Sequence, residues 1–328
     1  VTILANTFTT FDAKGIREDL SDAIYNISPK DTPLTSNAKK GQALQTFFEW
    51  QTDSLASVDL NNAQLDGDDV NPFDAVTPTT RVGNYTQISR KTAIVSGTLE
   101  AVDKAGRKSE MAYQLAKKAA ELKRDVEGIT LNNQAASAGS TTTPRKTGAL
   151  IAWLKTNSLS AGNAYSATTP DPNAPVYTNV PTSTRTDGSQ TAFLESMLKS
   201  GMQLAYTQGG KPEMLMVGPS NKVVASGFTG VATKTFYQSA VEETAIIGAA
   251  DVYVTDFGIL AIVPNRFQRG RDAFGIDPEF VSLVFLRPYL TEPLAKTGDA
   301  EKRMILAEWG WKVHNEKAHF GIYDLTTP

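Results

Sequence analysis

The longest regular alternation of apolar and polar positions lies in the first half of the chain. Met111, Leu115, Ala119, Leu122, Val126 and Ile129 follow one another at steps of four, four, three, four and three, which lines one face of an α-helix. The other faces carry Lys104, Arg107, Lys108, Lys117, Lys118, Lys123 and Arg124 beside Glu110, Glu121, Asp125 and Glu127. Gly97 and Gly106 interrupt the leading part, so the spacing predicts a helix from about Ser109 to Asn133. That is about twice the mean helix of roughly 11–12 residues.

Either side of this helix the pattern changes. Residues 1–41 form an arm with one helical island, where Ile16, Leu20, Ala23 and Ile24 share a face before Pro29 and Pro33 end it. Phe8 and Phe11 are among apolar side chains too scattered for a core, so the arm packs on its own body or on a neighbour. Residues 42–95 read as a hairpin: the aromatic-rich piece 44–52 and the piece 81–95 flank a long polar tip. Residues 96–190 take in the long helix and then turn rich in Ser, Thr, Pro, Asn and Gly, with a short apolar piece around Trp153. Residues 191–290 alternate helical and strand-like pieces, an α/β pattern, and 291–328 adds further strand-like runs around a turn at Asn315-Glu316-Lys317.

Composition narrows the picture. Of 328 residues, 41% are hydrophobic and 20% charged, enough to bury a core, and the net charge of -3 gives no overall pull toward nucleic acid. DNA contacts would be weak or local. The chain has no cysteine, which removes thiolate chemistry and disulfides. No apolar run reaches the roughly 18–20 residues of a membrane span. The charge is unevenly spread, however. Between Asp53 and Pro78 stand Asp53, Asp59, Asp66, Asp68, Asp69 and Asp74, with no Lys or Arg. A loop of that length within a compact unit usually has a function.

Catalytic signatures are missing: there is no Walker A loop, no G-x-G-x-x-G, no G-x-S-x-G and no H-E-x-x-H. His314 and His319, five apart, would lie on opposite faces of a strand and make a poor metal pair. Asp66-Gly67-Asp68-Asp69 lacks the spacing of a calcium loop. Arg266-Phe267-Gln268-Arg269-Gly270-Arg271 is the most basic short segment; it could touch phosphate, but a turn meeting acidic neighbours fits an acidic chain better. No cofactor or metal is expected, and no enzymatic activity.

The order of parts resembles the Hong Kong 97-type capsid fold of tailed bacteriophages, an α+β architecture with an N-arm, an E-loop, a P-domain built on a spine helix, and an A-domain. Local stretches are also similar to one family of phage major head proteins: 5–15, 49–55, 81–89, 102–107 and 132–135. The resemblance implies a virion protein that assembles in the bacterial cytoplasm into hexamers and pentamers of an icosahedral head around double-stranded DNA. It implies contacts with a portal and with scaffold or decoration proteins, and none with a membrane. Residues 1–41 would be the N-arm, 42–95 the E-loop, 96–190 the P-domain, 191–290 the A-domain and 291–328 returning strands. The E-loop aspartates would meet basic side chains of an adjacent subunit, with Lys117, Lys118, Lys123 and Arg124 of the spine as candidates. Some relatives cross-link through an E-loop lysine; without one between 53 and 78, no such link is expected there. The family pattern begins almost at Val1, so little or no N-terminal processing is expected. A tail-associated or surface binding module, using the Ser/Thr/Asn-rich stretch 158–190, is the competing reading.

Overall fold

A computed structural model describes residues 31–67, 73, 76, 78–104, 106–160, 163–164, 180–228 and 252–327. Its first part comprises α1 (Pro33–Asn37), β1 (Lys39–Gln42), β2 (Phe47–Thr52), β3 (Thr80–Tyr85), β4 (Gln87–Ser96), α2 (Gly97–Ala101), α3 (Glu110–Leu131) and α4 (Leu150–Trp153). There follow β5 (Ser158–Ser160), β6 (Asn163–Ala164), α5 (Glu195–Thr207), β7 (Met214–Val217), α6 (Pro219–Ser226), β8 (Val252–Thr255), β9 (Gly258–Pro264), β10 (Ala273–Ile276), β11 (Val281–Pro293), β12 (Ala300–Val313) and β13 (Phe320–Tyr323). The helical island at 16–24, with Phe8 and Phe11, lies outside the described residues.

The long helix forms where the apolar stripe places it. Ser109 caps α3, its hydroxyl accepting from the Ala112 N–H at 3.1 Å, which satisfies one of the four amides left open at a helix start. Met111, Leu122 and Val126 are buried, while Leu115, Ala119 and Ile129 on the same stripe stay half-buried. α3 packs on one face of a four-stranded sheet of order β1-β11-β12-β4. Ala93 and Val95 of β4 cluster with Met111 there.

A second sheet of seven strands, in the order β6-β5-β13-β10-β7-β9-β8, mixes parallel and antiparallel pairs. α5 lays Met197, Leu198, Met202 and Ala205 into a core with Leu215, Val217 and Phe320. Phe320 fits because two glycines face it. A Cβ on Gly275 would stand 1.9 Å from its ring and one on Gly201 2.5 Å.

Two sequence pieces divide differently from their apolar runs. The run 81–95 is split at the buried Thr86: β3 pairs with β2, whereas β4 leaves that hairpin for β12. Thr86 marks the parting, its hydroxyl lying 3.0 Å from the buried Glu308. The piece 280–285 continues as β11 to Pro293 and pairs with β12 in the four-stranded sheet, so a segment boundary drawn at 290 falls inside β11. β12 and β13, on either side of the Asn315 turn, enter different sheets.

Candidate functional site

The hairpin that launches the excursion is firmly rooted. β2 and β3 pair in register from Phe47↔Tyr85 to Thr52↔Thr80. Trp50 donates its indole N–H to the His314 carbonyl at 3.2 Å and lies against Trp153, ring centres 5.3 Å apart. Such aromatic pairs contribute about 0.5–1.5 kcal/mol beyond their burial. Beyond Thr52 this anchoring stops. The described residues from 53 to 79 form no helix or strand, and Leu55 is 99% exposed and Phe73 82%. Val58, Leu60, Leu65 and Val76 are similarly bare. The described part of the excursion thus leaves six large apolar side chains in solvent.

Among the described residues, no ion pair reaches the excursion's Asp53, Asp59 or Asp66. Asp53 and Asp59 accept only from the nearby amides of Ser54 and Asn61, at 2.9 and 2.8 Å, and Asp66 is exposed. Asp68, Asp69 and Asp74 lie outside the described residues. On the spine, Lys117 and Lys123 are exposed. Lys118 reaches Glu121 at 2.8 Å, and Arg124 sits over the Phe267 ring, 5.4 Å from its centre. Within one subunit, no described ion pair joins the excursion to these bases.

The strand register exposes a second surface that sequence reasoning did not pick out. Residues directly opposite in adjacent strands share a face. Ile88, Arg90, Thr92 and Ile94 of β4 therefore line up with Glu308, Leu306, Met304 and Lys302 of β12, and Leu306 in turn with Leu290 of β11. Ala93 and Val95 take the opposite face, against α3. On this face Ile88, Ile94 and Leu290 remain exposed, whereas Leu306 and Glu308 are buried. The signal was the alternation in β4, legible only once its partner strand is known.

The comparisons with known proteins accord with this anatomy. Residues 3–326 match the family described as SU10 major capsid protein. The chain belongs to that family. It is 31% identical over 340 residues to the major capsid protein of Escherichia phage Phieco32, covering 95% of each chain. Its fold is similar to solved structures from Gordonia phage Cozz (TM-score 0.60, 12% identity, 99% of this chain and 97% of that one) and Mycobacterium phage Cain (TM-score 0.60, 9% identity, 98% and 100%). The capsid structure of the Cyanophage P-SCSP1u is also similar, with TM-score 0.56 at 12% identity over 99% and 97%. The fold is thus the α+β Hong Kong 97-type, and this family member is a phage major capsid protein of the virion shell.

In this capsid protein two arginines of the basic segment 266–271 meet acids, while Arg266 is exposed. Arg269 meets Asp187 at 2.5 Å and Asp272 at 3.2 Å; Arg271 meets Asp324 at 2.9 Å and Asp187 at 3.5 Å. Arg185, itself buried, pairs with Asp324 and Asp187 and stacks over Tyr323, 4.2 Å from the ring centre. Burial alone would raise Asp324, but hydrogen bonds from Arg185, Ser160 and the Gly188 N–H hold it well below the usual carboxylate range. Asp272 is pushed up to about 6 by burial, against the pull of Arg269 and Arg185. The partners Arg185, Asp187 and Asp324 were not singled out in the sequence, since nothing local distinguishes them. The histidines do not take opposite faces of one strand, because neither lies on a strand: His314 follows β12 and His319 precedes β13. His314 shares a hydrogen bond with Ser282 at 2.5 Å, and His319 accepts from the Asp277 N–H at 3.1 Å. Burial pushes both down to about 4. Among the described residues no group of three or more His, Cys, Asp or Glu is placed to hold a metal.

Proposed function

We propose that this capsid protein forms the hexamers and pentamers of an icosahedral head around double-stranded DNA, with no catalytic role. Residues 1–41 act as the N-arm and 42–95 as the E-loop; 96–190 and 191–290 act as the P- and A-domains, with 291–328 returning to them. The observation that carries this reading is the bare apolar and acidic excursion, which no described residue of its own chain buries. Its aspartates meet bases of an adjacent copy. Lys117 and Lys123 on the spine and Arg90 on the open sheet face are exposed for this contact, while Lys118 and Arg124 would share it with their present neighbours. Phe8 and Phe11 serve the arm's contact with a neighbour.

Assembly takes place in the bacterial cytoplasm. A portal, scaffold or decoration proteins are further partners, and DNA contacts are local, given the net charge of -3. Electron microscopy of the purified chain tests the assembly reading. Closed shells or capsomers are expected; discrete small oligomers would instead favour a tail-associated binding module. Mature particles should also run as single subunits on a denaturing gel, because no lysine stands between 53 and 78 to link them.

A further inference from the structure

Near the C-terminal end of α3 lies Glu127, a carboxylate with 0% exposure. Neither of its oxygens serves its own helix in any described hydrogen bond. Oε1 accepts from the Leu34 N–H at 2.8 Å and from Asn265 Nδ2 at 2.6 Å, and Oε2 accepts from the Thr35 N–H at 2.8 Å. Leu34 and Thr35 belong to the first turn of α1, whose preceding residue Thr32 supplies no side-chain cap. Pro33 has no N–H, and Ser36 donates to the Thr32 carbonyl at 3.0 Å. The spine helix thus caps α1 across 92 and 93 residues of sequence. A five-residue helix would not persist by itself in water.

The junction is also packed. Leu34 is fully buried in the core beside Val126 and Leu131. Lys40, at the start of β1, donates to the Thr35 carbonyl. Burial lowers its pKa, opposed by the charge of Glu127, which makes Lys40 the charged group facing that carboxylate from β1. Asn265 follows β9, so arm, spine and seven-stranded sheet converge on one side chain. Both carboxylate oxygens accept from α1, and Oε1 also accepts from Asn265.

We propose that Glu127 is the positioning residue that anchors residues 32–38 at the end of the N-terminal arm, and that this anchoring supports contact with a second copy. The proposal rests on the shell-forming reading for its second half only. Hydrogen exchange on the full-length chain, before assembly, tests the anchoring. In Glu127→Gln an amide N–H₂ replaces one acceptor, and peptide 32–38 should exchange roughly tenfold faster, the effect of losing one charge-assisted bond. The spine amides of residues 111–126 should keep their wild-type protection, and shell yield should fall.

Asn265→Asp is the second variant, and it serves even if Glu127→Gln does not fold. It sets a carboxylate in place of the 2.6 Å donor, and two carboxylates so close repel each other until one takes up a proton as pH falls. Measured against wild type at the same pH, exchange of 32–38 should therefore be faster at about pH 8 and closer to wild type at about pH 5. Wild-type exchange of 32–38 in folded Glu127→Gln, or an Asn265→Asp to wild-type ratio that does not change with pH, would overturn the anchor. A wild-type chain that never forms shells would sink the shell reading while leaving the exchange result to decide the anchor.

Discussion

Asp53, Asp59 and Asp66 in the excursion and Asp187, Asp272 and Asp324 in the arginine knot all stand outside the helices and strands. Their surroundings are opposite. The knot's acids are met by Arg185, Arg269 and Arg271 from within the chain, and Asp272 and Asp324 have 0% exposure. Among the described residues, Asp53 and Asp59 of the excursion accept from neighbouring backbone amides, among side chains such as Leu55 at 99% exposure. Charge that the subunit neutralises itself holds the subunit together. Charge and apolar surface that it leaves open are available to another copy.

The largest effect should come from unpairing the knot. Arg185→Leu leaves Asp324 buried without its main partner, and removing one member of a buried pair costs about 3–5 kcal/mol. Denaturant unfolding of the isolated subunit measures it; a loss below about 1 kcal/mol would mean the knot behaves as a surface pair.

The next prediction concerns pH. Asp272 is raised from 3.8 to about 6 in the fold, so the folded state binds more protons between those values. This group therefore adds stability below about pH 4 and loses it as pH rises to 6. His314 and His319 act the other way. Lowered from 6.5 to about 4, they contribute stability above 6.5 that is lost as pH falls. Two lowered histidines outweigh one raised aspartate, so of these three groups the net effect is stability gained as pH rises through the window, and the difference from Asp272→Asn isolates the aspartate. That difference should change by at most about 1.4 kcal/mol per pH unit within the window. A pH-independent difference would show that Asp272 is not displaced by burial.

Changes in the excursion should barely touch the subunit. Replacing Leu55, Leu60 and Leu65 by Ser is expected to shift subunit stability by no more than about 0.5 kcal/mol, yet to reduce shell yield in micrographs. Reversing Asp66, Asp68 and Asp69 to Lys should likewise spare the subunit and block assembly at low salt. Single exposed pairs contribute only about 0–1 kcal/mol, so the effect depends on repetition around the shell. Assembly that proceeds unchanged after reversal would remove the electrostatic part of the contact.

The elements with strong internal period were legible. The stripe from Met111 to Ile129 gave α3 within two residues at either end, and the aromatic run at 44–52 gave β2. Burial along the stripe was not legible, because the sheet covers only part of it: Leu115 and Ile129 remain half-buried while Glu127, on a polar position, has 0% exposure. The basic run 266–271 was visible as charge, and the contacts of Arg269 and Arg271 matched the reading of a turn meeting acids. Which acids it meets could not be read, since Asp187 and Asp324 lie 82 and 53 residues from their arginine partners.

By itself the sequence determined the elements, the absence of thiol chemistry, the one-signed excursion and the family resemblance, because period, composition and local motif are properties of neighbouring residues. Only the tertiary structure decided which strands share a sheet, how the apolar run at 81–95 divides at Thr86, and that Glu127 caps a helix 92 residues away. Those outcomes depend on long-range pairing, where a buried hydrogen-bonding group takes the partner the fold brings to it. No spacing along the chain encodes that partner.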